Sequence, residues 1–344
     1  MFIHSPSKSG EIYIVVSSFD SFEVTLQEYA SMWLDTRRRE LRPKTVRSYE
    51  QLFRIHIAPM IGQIKLRELG RADIKQVLIQ KRNVGLSRNT VRLIRACLSV
   101  ICSEARDEGL IIQNPVSGLR RPGLRREIRF IATAKALTEA ELARFLTTAE
   151  SFRPDYYPLF LTLARTGCRP GEALALCWSD INFDQREILL ERAFSCGQLG
   201  PTKTGRPRYL DMSLELASVL MQLYQKRQAQ HGNRGELSKW VFLNSAGKPI
   251  DENRPRRVFA KVLARAGLSN HTVYDLRHTF ATLHLAKGHP ITYVSAQLGH
   301  ASPSTTLRWY AHWVPTKDKR YADSLDGEKH RSVRSSVAFQ SSDY

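Results

Sequence analysis

The chain has 344 residues, more than one hydrophobic core ordinarily fills, so two domains are expected. Its 42% hydrophobic and 25% charged residues exclude a disordered or fibrous chain. Lys and Arg number 52 against 33 Asp and Glu, a net charge of +19; this points to a polyanionic partner, nucleic acid before an acidic membrane surface. No apolar run approaches the roughly 20 residues that span a bilayer, and residues 12–16 are too short for a signal segment. A cytoplasmic protein with no membrane partner is the expectation. The five cysteines, Cys97, Cys102, Cys168, Cys177 and Cys196, are odd in number and widely spaced. They predict reduced thiols rather than disulfides or a zinc site.

In chain order, residues 11–16 could form a short strand. Thr25 and Glu28 have the spacing of a capping box, and Leu26, Tyr29, Ala30, Trp33 and Leu34 then recur with helical period. Pro43 opens a second helix to about residue 57, and a third runs from about 72 to 82. A fourth, from about 88 to 108, places Val91, Ile94, Leu98, Ile101 and Ala105 on one face. Arg88, Arg92 and Arg95 lie largely off that stripe and read as phosphate contacts. Residues 114–129 combine Pro and Gly with Arg120, Arg121, Arg125 and Arg126, and read as a basic linker lying along a DNA backbone.

A second capping box, Thr138 with Glu141, starts the next region, and a helix from about 154 to 165 leads into Thr166. Residues 187–193 and 208–212 alternate as strands, joined by a turn across 200–207. Residues 240–243 could be a third strand. Helices follow at about 255–266, 274–287, 292–298 and 304–312, before a polar tail.

Breaking a phosphodiester without metal or ATP needs a nucleophile, fixed cations on the non-bridging oxygens, a base and an acid. Arginine suits the clamp, because its fork matches two oxygens and it stays charged. Four segments supply such groups. They are Thr166-Gly167-Cys168-Arg169-Pro170-Gly171-Glu172, Tyr274-Asp275-Leu276-Arg277-His278-Thr279, Leu298-Gly299-His300, and Thr305-Thr306-Leu307-Arg308-Trp309-Tyr310.

In order and separation these segments resemble the motifs of the tyrosine recombinase (phage integrase) family. The resemblance implies a site-specific recombinase with no cofactor. Arg169 and Arg277 would bind the scissile phosphate and His300 would donate a hydrogen bond to it. Tyr310 would attack, leaving a 3′-phosphotyrosine and a free 5′-hydroxyl. Lys203 resembles the family's mobile lysine, which protonates the leaving oxygen, and Glu172 matches the acidic residue that steadies the site. The family's usual His is replaced by Tyr274, a poor base at neutral pH, so the general base is unassigned. His271 is a conceivable substitute, whereas His278 and His284 read as helix residues. Arg169 and Arg277 are expected to lower the pKa of Tyr310 by favouring its phenolate.

The fold class expected is mostly α with a small antiparallel sheet. Residues 1–23 are a short extension, 24–113 a helical core DNA-binding domain, 114–135 the linker, 136–320 a mixed α/β catalytic domain and 321–344 a tail. The resemblance further implies double-stranded DNA as partner, a homotetramer acting on two DNA sites, and possible accessory DNA-bending proteins. Two rivals remain: a type IB topoisomerase, and a catalytically silent DNA-binding relative.

Overall fold

Thr25 begins the first helix because its hydroxyl accepts the Glu28 amide while the Glu28 carboxylate accepts the Thr25 amide, which satisfies two orphan donors reciprocally. The computed structural model describes residues 23–119, 135–231 and 238–314. The chain divides into two units, Met1–Arg129 and Phe130–Tyr344. In the first, the elements are α1 (Leu26–Arg37), α2 (Pro43–Leu52), α3 (Ala58–Ile61), α4 (Arg71–Asn83) and α5 (Arg88–Asp107). Leu26, Ile57, Ile74, Ile94, Leu98 and Ile101 meet in its core and are inaccessible to solvent. The helix expected to run through to residue 57 instead changes to a π turn over Phe53–Ile57. Pro59 follows in the first turn of α3 and has no N–H to continue the ladder.

Part of the expected linker is not a linker. The Asn114 side chain donates to the Ser99 carbonyl and accepts from the Val116 amide, and Val116 and Leu119 are buried in the first unit's core. An apolar residue at every few positions is enough to fold this stretch back. Arg120, Arg121, Arg125 and Arg126 lie outside the described residues, as does the possible strand at 11–16.

The second unit opens with the Thr138–Glu141 capping box on α6 (Glu139–Phe152), then α7 (Tyr157–Thr166) and α8 (Pro170–Leu174). Strands β1 (Ile181–Asn182), β2 (Glu187–Leu190) and β5 (Arg208–Asp211) form an antiparallel sheet in the order β1-β2-β5. Between β2 and β5 stands a separate hairpin, β3 (Arg192–Ser195) with β4 (Gln198–Pro201). Then come α9 (Leu214–His231), α10 (Arg254–Arg265), α11 (Asp275–Ala286), α12 (Ile291–Leu298) and α13 (Pro303–Tyr310). The core is built on Phe145, Phe160 and Phe259, whose rings lie 4.7–5.8 Å apart. A smaller cluster of Phe280, Leu285, Val294 and Leu298 includes Tyr310.

Three expectations are corrected. The two predicted strands do pair, but their connection carries the β3–β4 hairpin rather than one long turn. Helix α9 has no counterpart among the expected elements. Residues 240–243 make only isolated bridges, Cys177 with Trp240 and Leu243 with Pro249. The five cysteines are free, four of them buried. No helix among the described residues is long and apolar enough to cross a membrane.

Candidate active site

Helix α7 ends at Gly167, which takes a left-handed φ of +63°. A Cβ there would fall 2.5 Å from the Phe280 ring, so the residue must be glycine on both counts. The sharp turn delivers Arg169 to the start of α8. Its backbone N–H donates to the Glu172 carboxylate at 2.9 Å and its guanidinium donates to the same group at 2.8 Å. From β5, Arg208 donates two further bonds to Glu172, at 3.2 and 2.7 Å. Glu172 is 1% exposed. Burial pushes its pKa up, but the bonds and charges of Arg208 and then Arg169 outweigh this, and the net displacement is downward.

Arg277, from the first turn of α11, is also buried. Two carbonyls hold it, Gly167 O and Leu298 O, each at 2.8 Å. Burial, and then the like charge of Arg169, bring its pKa down to about 10, so it remains a cation at neutral pH. The second carbonyl belongs to the end of α12, where Gly299 again takes a φ of +63°. A Cβ on Gly299 would fall 2.7 Å from the Arg208 guanidinium carbon, and Arg208 Nε donates to Gln297 O at 3.1 Å. His300 follows immediately. Its Nδ1 lies 2.7 Å from the Thr306 hydroxyl on α13. Burial and then the charges of Arg277, Arg169 and Arg208 push its pKa down to about 4, so the ring is neutral at pH 7.

Tyr310, the last residue of α13, is 2% exposed. Its hydroxyl lies 2.6 Å from His278 Nδ1. Its pKa is not lowered as expected but pushed up to about 12, because burial outweighs the opposite pull of Arg277. His278 is half-buried, and burial lowers its pKa despite the nearby Asp275 carboxylate. Two residues of this cluster are not legible as site residues in the sequence. Arg208 carries no local signal, since its partner is 36 positions away. His278 stands beside Arg277 but reads as an ordinary helix residue; only the packing of α13 on α11 reveals its neighbour.

Other predicted residues lie elsewhere or are more loosely tied. Lys203 is exposed in the turn from Thr202 to Gly205 that links β4 to β5. Tyr274 caps the start of α11 and is 39% exposed. His271 Nδ1 is 3.7 Å from the Asp275 carboxylate and forms no hydrogen bond. His284 faces His289, their Nδ1 atoms 2.7 Å apart, in a cleft of about 470 Å³ that Phe280 also lines but that contains none of Arg169, Glu172, Arg208, Arg277, His300 and Tyr310. In the first unit Arg88 and Arg92 are exposed, Arg92 bonding to Asn89. Arg95 is partly buried and turned toward the carbonyls of Val116 and Leu119.

Residues 135–316 match the phage integrase family, and residues 25–81 match the phage integrase N-terminal SAM-like domain. The chain is 25% identical to a XerC-like tyrosine recombinase of Caldanaerobacter subterraneus, across 89% of this chain and 84% of the relative. It is 27% identical to an integrase of Streptomyces ambofaciens, across 88% and 80%. Among solved structures, the Tn1549 transposon integrase in complex with a circular intermediate DNA superposes with a TM-score of 0.72 at 20% identity, covering 87% of this chain and 98% of that one. A lambda integrase tetramer bound to a Holliday junction gives 0.65 at 21% identity, covering 83% and 80%.

Proposed function

Because this chain belongs to the phage integrase family, and is therefore a tyrosine-type DNA strand transferase, we propose that it performs site-specific recombination with Tyr310 as its nucleophile. Tyr310 Oη attacks the scissile phosphorus, giving a 3′-phosphotyrosine and a free 5′-hydroxyl. Arg169 and Arg277 hold the two non-bridging oxygens. His300, with Nδ1 engaged by Thr306, donates from Nε2 to the phosphate. Glu172, bonded to Arg169 and Arg208, fixes the clamp. Lys203, on its exposed turn, swings in to protonate the 5′ oxygen, and the Tyr274 hydroxyl adds a hydrogen bond to the phosphate.

The observation that carries this reading is the gathering of Arg169, Arg208 and Arg277 about the single carboxylate of Glu172. Cations in excess, shielded from water, form a preorganised site for an anion whose charge grows in the transition state. No metal is needed in this scheme.

The DNA is double-stranded. Residues 24–113 and 136–320 act as core-binding and catalytic domains, and Arg88, Arg92 and the linker arginines Arg120, Arg121, Arg125 and Arg126 lie on phosphates. Four copies assemble on two DNA sites and exchange strands in pairs, a reading that the lambda integrase tetramer on a Holliday junction supports. Accessory DNA-bending proteins shape the sites, and the reaction takes place in the cytoplasm. The test is a covalent complex trapped on a nicked duplex, built on the footprint the chain gives on DNA flanking its own gene. Tyr310→Phe should bind this duplex as the parent chain does and form no adduct. An adduct that persists in Tyr310→Phe overturns the assignment.

A further inference from the structure

We propose that His278 takes the proton from Tyr310 as the tyrosine attacks. This rests on the reading of Tyr310 as nucleophile. The two side chains come from different helices, α11 and α13, and His278 Nδ1 stands 2.6 Å from Tyr310 Oη, inside the range for proton transfer to a general base. The rings themselves are tilted at 52° with centroids 5.7 Å apart, so they meet at the polar atoms and are not stacked. The other candidate imidazoles lie differently: His300 Nδ1 faces Thr306, and His271 Nδ1 stands 3.7 Å from the Asp275 carboxylate without a hydrogen bond. Tyr274 offers a phenol, which is no base at neutral pH.

The surroundings suit the task. An acceptor must be neutral before the reaction and tolerate charge after it. Burial and the Arg277 cation keep the His278 ring neutral, while Asp275, one turn back on the same helix, favours the imidazolium once it forms. Arg277 and Asp275 face His278 from α11, Tyr310 from α13 and His300 from the end of α12. The neutral ring carries its hydrogen on Nε2 and presents the Nδ1 lone pair to the hydroxyl. As the O–H bond breaks, the proton passes to Nδ1 and the electron pair left on Oη forms the bond to phosphorus. The bond from phosphorus to the 5′ oxygen breaks, and that oxygen takes its proton from Lys203. On rejoining, the imidazolium returns the proton to Oη. A high tyrosine pKa, which would otherwise stall the attack, is what makes a partner in contact necessary.

The experiment is single-turnover cleavage of the nicked duplex by the full chain, its His278→Gln and its His278→Ala variants, from about pH 5.5 to about 9, where imidazoles titrate. Both variants should cleave on the order of 10²-fold more slowly or worse near neutral pH. They should lose the wild-type acid limb and keep rising with pH. Free imidazole should restore His278→Ala by about tenfold or more, in proportion to its neutral fraction, because the small base fills the space vacated. His278→Gln cleaving within about threefold of wild type across the range overturns the proposal. So does a slow His278→Ala that binds duplex normally but gains nothing from imidazole, since that marks a packing role. Tyr310→Phe runs beside them: an adduct in that variant fails the nucleophile reading, while its absence with unaltered His278 variants fails only the proton acceptor.

Discussion

Replacing Glu172 by Gln keeps the side chain's shape and removes its charge. In the parent chain the carboxylate accepts three bonds from the Arg169 and Arg208 guanidiniums and one from the Arg169 amide, at 1% exposure. Arg208 is only 11% exposed at its side chain. Glutamine retains one oxygen and turns an amide NH₂ toward a cation, so two guanidiniums lose their counter-ion, Arg208 where little water can replace it and Arg169 where some can. Removing one partner of a buried ion pair costs about 3–5 kcal/mol, a large part of the roughly 5–15 kcal/mol that holds a domain together. With a urea slope of about 1–3 kcal/mol per M, the midpoint should fall by about 1 M or more. Tryptophan fluorescence reports this unit through Trp178 and Trp240, and a double-mutant cycle with Arg208→Met isolates the pair. The pH dependence has a definite sign. The Glu172 pKa lies below its ordinary value in the folded chain. Its contribution is therefore full above the unfolded pKa and is lost as pH falls through the folded one. The gap between parent and Glu172→Gln should accordingly narrow in acid, below the usual carboxylate range. A loss under about 1 kcal/mol, or strict additivity with Arg208→Met, would refute the carboxylate as anchor of the clamp.

Three further substitutions probe the chemistry. Arg169→Lys and Arg277→Lys keep a positive charge but forfeit the fork, and Arg277 also loses one of its two carbonyl contacts; each should slow single-turnover cleavage on the order of 10²-fold with little change in duplex affinity. Cleavage within about threefold of wild type would make that arginine structural. Lys203→Ala should be slow on a normal duplex and recover on one whose 5′ leaving atom is sulfur, because a thiolate departs without a proton; an equal defect on both substrates rejects Lys203 as the acid.

What a sequence can reveal follows the range of the interaction concerned. Capping boxes at Thr25 and Thr138 and the stripe of α5 are local patterns, legible in the order of the residues alone. Helix α9 is not legible in that way, because Leu214, Leu216, Val219 and Leu220 do not fall on one clean face, and Leu214 is 74% exposed. The β3–β4 hairpin buries no strand face, so it lacks the inside–outside alternation that marks a strand. In the site, Arg169, Arg277, His300 and Tyr310 sit in recognisable motifs. Arg208 and the pairing of His278 with Tyr310 depend on which distant elements meet, and no spacing encodes that. The Tyr310 pKa moves opposite to the expectation for a related reason: charge can be read from residue types, but burial belongs to the assembled fold.

The C-terminus of α12 carries a consequence of its own. The final carbonyls of a helix lack partners within it, and here those of Gln297 and Leu298 receive N–H groups from Arg208 and Arg277. Two of the arginines gathered about Glu172 are thus also the caps of a helix. Local opening of that last turn, as amide hydrogen exchange would register it, requires the two guanidiniums to let go. An anion that draws them toward itself competes for the same donors, while one that docks on their remaining N–H groups locks the turn shut. Fraying at one helix end and occupancy of the site are linked equilibria, and protection factors at Gln297, Leu298 and Gly299 would follow the filling of the site ahead of any bond breaking.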